Sequence, residues 1–481
     1  MEYSVNDLAR HAGGDTLVPG ERLCTGIAWD SRLVAAGDVY VALPGARVDG
    51  HDFCAAALAA GAACLLVSKE PAADVRAAAQ QAGAGIVRVP DTFRAITDLA
   101  AAWRGEIAGK VLAVTGSSGK TTTKNLIRAV LAAAGPTVAT AGNQNNELGV
   151  PATLLRADRT TAFVVVEMGM RGLHQLDALC AFVKPDAALV TNVGESHIEL
   201  LGSRDGIAHA KAEALAAVPA GGFAFVNASD DFAAELVEYG EIAAHGARLY
   251  AYDGSGADPA TYPEALRPEV FASDISFDEA GRPRFVLHTP AGQAPCALAL
   301  AGGHNVHNAC AAAAVGSAWG VPLDAIVAAL EGERPVAGRQ NAVAGLRGST
   351  VIDDCYNANP DSLRASLATF ASMKVAGKRI AVLGDMGELG SFSEEAHTQA
   401  GIWAAQAGVD ELVAVGAFAL VMAAAAVSAG IDAAHVRTVS SAREALAAVE
   451  PLVACGDCVL VKGSHSVGLE AVVKGLVPTH A

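Results

Sequence analysis

Lys110 to Gly135 reads KVLAVTGSSGKTTTKNLIRAVLAAAG, and the order of its parts decides the fold of the middle of the chain. Val111 to Val114 is a short apolar run of the kind that forms a buried parallel strand. A turn of small residues follows, Thr115-Gly116-Ser117-Ser118-Gly119. Leu126, Ile127, Val130, Leu131 and Ala134 then recur at helical spacing, and Gly135-Pro136 stops the helix. Strand, glycine turn and helix in that order suit a polyphosphate. Glycines admit main-chain N–H groups to phosphate oxygens, and the start of the helix adds partial positive charge. Gly116, Ser117, Ser118, Gly119 and Thr122 form the cradle. Lys120 meets the outer phosphates as a point charge, and the Thr121 hydroxyl is placed to ligate magnesium. The usual pattern GxxxxGK[ST] asks for glycine where this chain has Val114, so the flanking strand and helix carry the assignment.

At 481 residues the chain has room for about three domains of ~150 residues. Composition is globular, 52% hydrophobic and 18% charged. Thirty-four basic against 51 acidic residues give −17, with no basic stripe, which argues against a nucleic-acid partner. Leu412 to Ile431 is uncharged, yet it divides into a strand and an alanine-rich helix better than it spans a bilayer. The polar N-terminus carries no secretory signal, and nine scattered cysteines fit a reducing, cytoplasmic setting. Cys455 and Cys458 form a CxxC without a second pair at zinc spacing, so both read as structural thiols.

The first unit, residues 1–87, alternates short strands and helices. Its polar clusters at strand ends, Asp30-Ser31-Arg32 and Arg47 to Asp52, are where α/β folds place ligands. An exposed Asp30–Arg32 ion pair explains the first cluster equally well. The middle unit, 88–335, carries the phosphate turn. Beyond it lie the polar turn Asn143, Gln144, Asn145, Asn146 and a strand, Phe163 to Val166, ending in Glu167. A carboxylate at the end of a strand beside the phosphate strand is well placed for magnesium. His197 follows a third strand, and Lys211 lies on a helix; taken singly, each reads as an ordinary loop or surface residue. Asn305 and Asn308 share a helix face where amides read a purine edge, with N-capping as the rival role for Asn305. The last unit, 336–481, shows four strand-like runs separated by helices, hence a doubly wound parallel sheet.

Several stretches together resemble the Mur ligases of peptidoglycan synthesis. They are TGSSGKTTTK, GNQNNELGVP (142–151), NVGESHIELLGS (192–203), AHAKAE (208–213), GGHNVHNACAA (302–312), DDCYNANPDSL (353–363) and LGDMGELG (383–390). Within that family the last two are similar to the branch that adds D-alanyl-D-alanine to UDP-N-acetylmuramoyl-tripeptide. The resemblance implies three α/β domains: a small UDP-binding domain, a central P-loop ATPase-like domain and a C-terminal Rossmann-like domain. It implies ATP, two magnesium ions, and an acyl phosphate on the tripeptide carboxylate, without nucleic acid or membrane span and in a monomer. Lys120, Glu167, His197, Lys211 and Arg339 would be catalytic. Thr121, Glu167, His197 and a CO₂-carbamylated Lys211 would hold metal. Asn305, Asn308, Arg339 and Asp354 would bind the nucleotide. Ser31, Arg32, Arg47, Gly50, His51, Asp52, Asn143, Asn145, Asn146, Asn357 and Asp385 would bind the other substrates, with Lys462 to Ser464 as further candidates. Which residue removes the proton of the attacking amine stays open, as does the third residue of the tripeptide.

Overall fold

Apolar strands that alternate with amphipathic helices leave one good packing solution, parallel sheets with helices on both faces. The chain builds three of them. A computed structural model describes residues 1–45 and 48–478. The first sheet has the order Asp15–Val18, Gly85–Arg88, Cys64–Val67, Asp38–Val41, Gly26–Ala28, with its first strand antiparallel to the rest.

The central sheet has nine strands. Lys110–Thr115, the phosphate strand, lies between Phe163–Glu167 and Ala187–Val190, parallel to both. That arrangement brings Glu167, Asn192 and the glycine turn to one edge. Residues 270–297 add an antiparallel meander to the far side of the sheet, which the alternating reading of the chain did not anticipate. Its strands carry polar residues on an exposed face, so they lack the continuous apolar runs that mark the parallel ones.

Two helices pack side by side on one face of the central sheet, Lys120–Ala132 and the alanine-rich His304–Ala318. Small residues let them approach closely: a Cβ on Gly316 would stand 2.5 Å from Val130 Cγ1. Close approach holds Asn305 and Asn308 against the start of the phosphate-loop helix. Buried Leu112, Val114, Leu126, Ile127 and Val130 form the core beneath.

The last sheet has six strands where four were expected. Asn341–Ala344 pairs antiparallel at one edge and Val436–Val439 parallel at the other. Both are short and half exposed, which hides them from a search for apolar runs. Leu412 to Ile431 splits into the strand Glu411–Val415 and the helix Ala419–Ser428. Among the described residues no helix is long and apolar enough to cross a membrane.

Side chains join the units. Between the first and middle units, Thr92 donates to the Ala42 carbonyl at 3.2 Å. Between the middle and last units, Lys374 pairs with Glu279 at 2.7 Å, and Asp361 accepts the Glu195 N–H at 3.1 Å.

Candidate active site

The phosphate turn needs its glycines for different reasons. Gly116 has φ 147°, and a Cβ there would strike Thr191 Oγ1; Gly119 has φ 77°, and a Cβ would meet Asn308 Oδ1 at 2.8 Å. Asn192 braces the turn by accepting the Ser118 N–H at 2.9 Å. Lys120 folds back on the loop and donates to the Gly116 carbonyl at 2.7 Å. Burial lowers its pKa, Glu167 raising it in part.

Thr121 donates to Glu167 Oε1 at 3.1 Å, and Asn145 donates to the same oxygen at 2.8 Å. Glu167 is 1% exposed, yet its Oε2 has no hydrogen-bond partner. Lys124, one turn beyond Lys120, approaches that oxygen only to 3.6 Å and spends its protons on the Thr140 and Gly142 carbonyls. A buried carboxylate oxygen without a donor beside a threonine hydroxyl fits a hard cation.

His197 has φ 66°, rare for a residue with a side chain. Burial lowers its pKa, with Lys120 and Lys211 acting in the same direction against Glu388. Its Nδ1 lies 2.6 Å from Glu388 Oε2 of the last unit, but off the direction of a hydrogen bond. Lys211 is 1% exposed, and burial, helped by Lys120, holds its pKa well below the usual lysine value. Its amine is therefore kept toward the neutral form. It stands behind the cleft and is not part of its wall.

These groups face a cleft of about 1220 Å³ between the middle and last units. Ser117 to Thr122, Asn143, Asn145, Asn146, Glu167, His197, Arg339, Asp354 and Asn357 line it. Arg339 stacks over the Tyr356 ring at 4.3 Å. Asp354 pairs with Lys462 at 2.9 Å and accepts from Ser366. Asn305 lies inside its helix rather than at the cap, and its Nδ2 donates to the Ala301 carbonyl at 2.6 Å. Asn308 spends both ends of its amide, accepting from Thr123 at 3.0 Å and donating to Asn305 at 2.8 Å. Both asparagines border the cleft.

Some expected residues lie elsewhere. Asp385 is outside the cleft, because its carboxylate accepts the N–H groups of Ala417 and Phe418 at 2.7 and 3.1 Å and so caps the next strand-to-helix turn. Ser31, Arg32, Gly50, His51 and Asp52 lie in the first unit, away from the cleft wall. Arg32 is paired with Asp30 at 2.6 Å. His51 Nε2 accepts the Ser68 N–H at 2.9 Å while Nδ1 donates to Asp49 at 2.6 Å, so both ring nitrogens are engaged. Arg47 falls outside the described residues. The sequence reading passed over Lys124, Asn192, Asn359 and Glu388. Lys124 was visible as the residue four after Lys120; the other three depend on strand order and contact between units.

Fold and site together define a phosphate-loop protein of three α/β domains, the third closing over the loop. Residues 24–104 match the Mur ligase family, catalytic domain; 114–316 match the Mur ligase middle domain; 338–465 match the Mur ligase, glutamate ligase domain. The UDP-N-acetylmuramoyl-tripeptide–D-alanyl-D-alanine ligase of Mycobacterium bovis is 38% identical over 99% of this chain and 98% of that protein. A crystal structure of MurF from Acinetobacter baumannii superposes with a TM-score of 0.82 at 32% identity, covering 98% of both chains. MurF of Thermotoga maritima, solved with ADP, gives 0.73 at 26% identity over 94% of this chain and 97% of that one. The chain belongs to the Mur ligase family. Ligases of this family depend on ATP, and magnesium is their general metal.

Proposed function

We propose that this protein is a cytoplasmic ligase that joins D-alanyl-D-alanine to the terminal carboxylate of UDP-N-acetylmuramoyl-tripeptide at the expense of ATP. The observation that carries the reading is the unsatisfied Glu167 Oε2 beside Thr121, at a phosphate loop covered by a third domain. Relatives spanning the whole chain bear the name of that ligase. Residues 1–87 take the uridine nucleotide through the Ser31–Arg32 and Gly50–Asp52 ends, 88–335 take ATP, and 336–481 take the dipeptide. Nine free cysteines, eight of them buried, suit a reducing compartment.

Loop amides from Gly116 to Thr122 hold the triphosphate, with Lys120 on its outer phosphates. Asn305, oriented by Asn308, reads adenine; Asp354 and Arg339 reach the ribose and the γ-phosphate. The tripeptide carboxylate attacks the γ-phosphorus, the bond to ADP breaks, and a carboxyl phosphate forms. The dipeptide amine adds to the carbonyl carbon, and the tetrahedral species collapses by expelling inorganic phosphate while the nitrogen loses its proton. Both reactants are anions, so Lys120 and Arg339 supply positive charge where it builds up. Thr121 and Glu167 fit one magnesium ion and His197 a second; bound magnesium neutralises the phosphates. Lys211, whose pKa burial holds well below the usual lysine value, adds CO₂ through its unprotonated amine to give a carbamate and one proton, turning a buried base into an oxygen ligand. Asn143, Asn145 and Asn146 border the tripeptide's path and Asn357 that of the dipeptide.

The test is phosphate release from ATP with UDP-muramoyl-tripeptide and a panel of amino acids and dipeptides. Release is expected with D-alanyl-D-alanine. Release indifferent to the acceptor would contradict the reading.

A further inference from the structure

A ligase must hold its nucleophile as well as its nucleotide, and the cleft offers few groups for a cationic amine. Its carboxylates are Glu147, Glu167, Glu333, Asp354, Asp361 and Glu388. Four are committed. Glu167 accepts from Thr121 and Asn145, Asp354 is paired with Lys462, Asp361 accepts the Glu195 N–H, and Glu333 faces Arg128 at 3.7 Å. Glu147 stands on the middle unit's own asparagine turn. Glu388 comes from the third domain and reaches to within 2.6 Å of His197, beside the phosphate loop.

The backbone is arranged to put it there. Glu388 has φ 61°, a left-handed conformation that a glutamate adopts only when its surroundings impose it. The preceding residues are tied on both sides. The Met386 N–H donates to His397 Nε2 at 2.9 Å, and the Gly387 N–H to Ser464 Oγ at 2.8 Å. His397 is fully buried, with Nδ1 against the Ser393 carbonyl at 2.6 Å, so its ring is a fixed post. The carboxylate itself lies 2.6 Å from His197 Nδ1. Its approach to His197 is not directed as a hydrogen bond, and Arg171 Nε lies 3.5 Å away. A rigid main chain carrying a 44% exposed carboxylate on the cleft wall is a prepared acceptor.

We propose that Glu388 receives the amino group of the incoming dipeptide, an assignment that rests on the ligase reading above. A carboxylate forms charge-assisted hydrogen bonds to an ammonium and still accepts an N–H once a proton has left. It therefore holds the nitrogen in place while the lone pair turns to the carbonyl carbon of the carboxyl phosphate.

The experiment is steady-state kinetics of Glu388→Gln and Glu388→Asp in the full chain. Glu388→Gln should raise the KM for D-alanyl-D-alanine at least tenfold. The KM for ATP and the magnesium concentration for half-maximal rate should stay within twofold. Glu388→Asp keeps the charge and should recover part of the loss. D-lactyl-D-alanine, with a hydroxyl in place of the amine, should compete poorly with the wild type, and its disadvantage should shrink in Glu388→Gln. An unchanged dipeptide KM in Glu388→Gln overturns the assignment. So does a shifted magnesium requirement with dipeptide KM unaltered, which would make Glu388 a metal ligand. A wild-type enzyme that never uses D-alanyl-D-alanine would instead refute the ligase reading.

Discussion

Asn359 Nδ2 donates to Ser118 Oγ at 3.1 Å, so a side chain from the third domain rests on the phosphate loop 241 residues away in sequence. The same amide bonds Ser196, next to His197, and its Oδ1 caps the helix Pro360–Ser372 by accepting the Ser362 N–H at 2.8 Å. Capping and bridging can be separated. Asn359→Ser keeps a good N-cap but is too short to reach both serines. Its melting temperature should stay close to wild type while kcat/KM falls about tenfold, a loss of roughly 1.4 kcal/mol. Asn359→Ala should lose the cap as well, at about 1 kcal/mol of stability. Activity intact in the serine variant would mean the bridge is incidental.

Lys211 lies beyond the cleft wall yet alters the charge around His197. Lys211→Ala should lose most turnover and regain part of it with added formate or acetate, whose oxygens would stand in for those of the proposed carbamate. Initial rates against carboxylate concentration check this. Full activity without any addition would remove Lys211 from the metal site.

His304 gives a pH signature. Burial, with Asp354 opposing, pushes its pKa down from 6.5 to about 4. Below about 6.5 the unfolded chain binds a proton that the folded one refuses until about 4. The associated stability is complete above that window and is lost as the pH falls through it. Urea midpoints taken from about pH 7 to about pH 5 should therefore decline less steeply in His304→Gln. Equal slopes would mean that the ring is not held neutral.

Packing between the helices Lys120–Ala132 and His304–Ala318 tolerates no bulk. Gly316→Val would drive a side chain into Val130 and Ile326 and should cost about 1–3 kcal/mol in equilibrium unfolding. A neutral result would show that the helices can separate freely.

Much of this was legible in the chain because it is local. The phosphate turn, Glu167 at the end of its strand, and Lys120 and Thr121 follow from a strand, a glycine turn and a helix in succession. Edge strands such as Asn341–Ala344 were hidden by short length and exposure, and the meander over 270–297 by its polar face. Asp385 was misplaced because a strand-end carboxylate looks the same whether it meets a ligand or caps the neighbouring turn. Only the structure distinguishes it from Glu388, three residues on, which turns into the cleft through a left-handed backbone. Asn192 and Asn359 gain their roles from partners that no local pattern identifies.

Phosphorylation of the tripeptide carboxylate is the central claim, and oxygen transfer tests it most directly. Tripeptide nucleotide labelled with ¹⁸O in its terminal carboxylate is turned over with ATP and D-alanyl-D-alanine, and the released phosphate is analysed by mass. A carboxyl phosphate expelled by the amine carries one labelled oxygen into each phosphate. Phosphate without label, released in step with amide formation, would contradict the account.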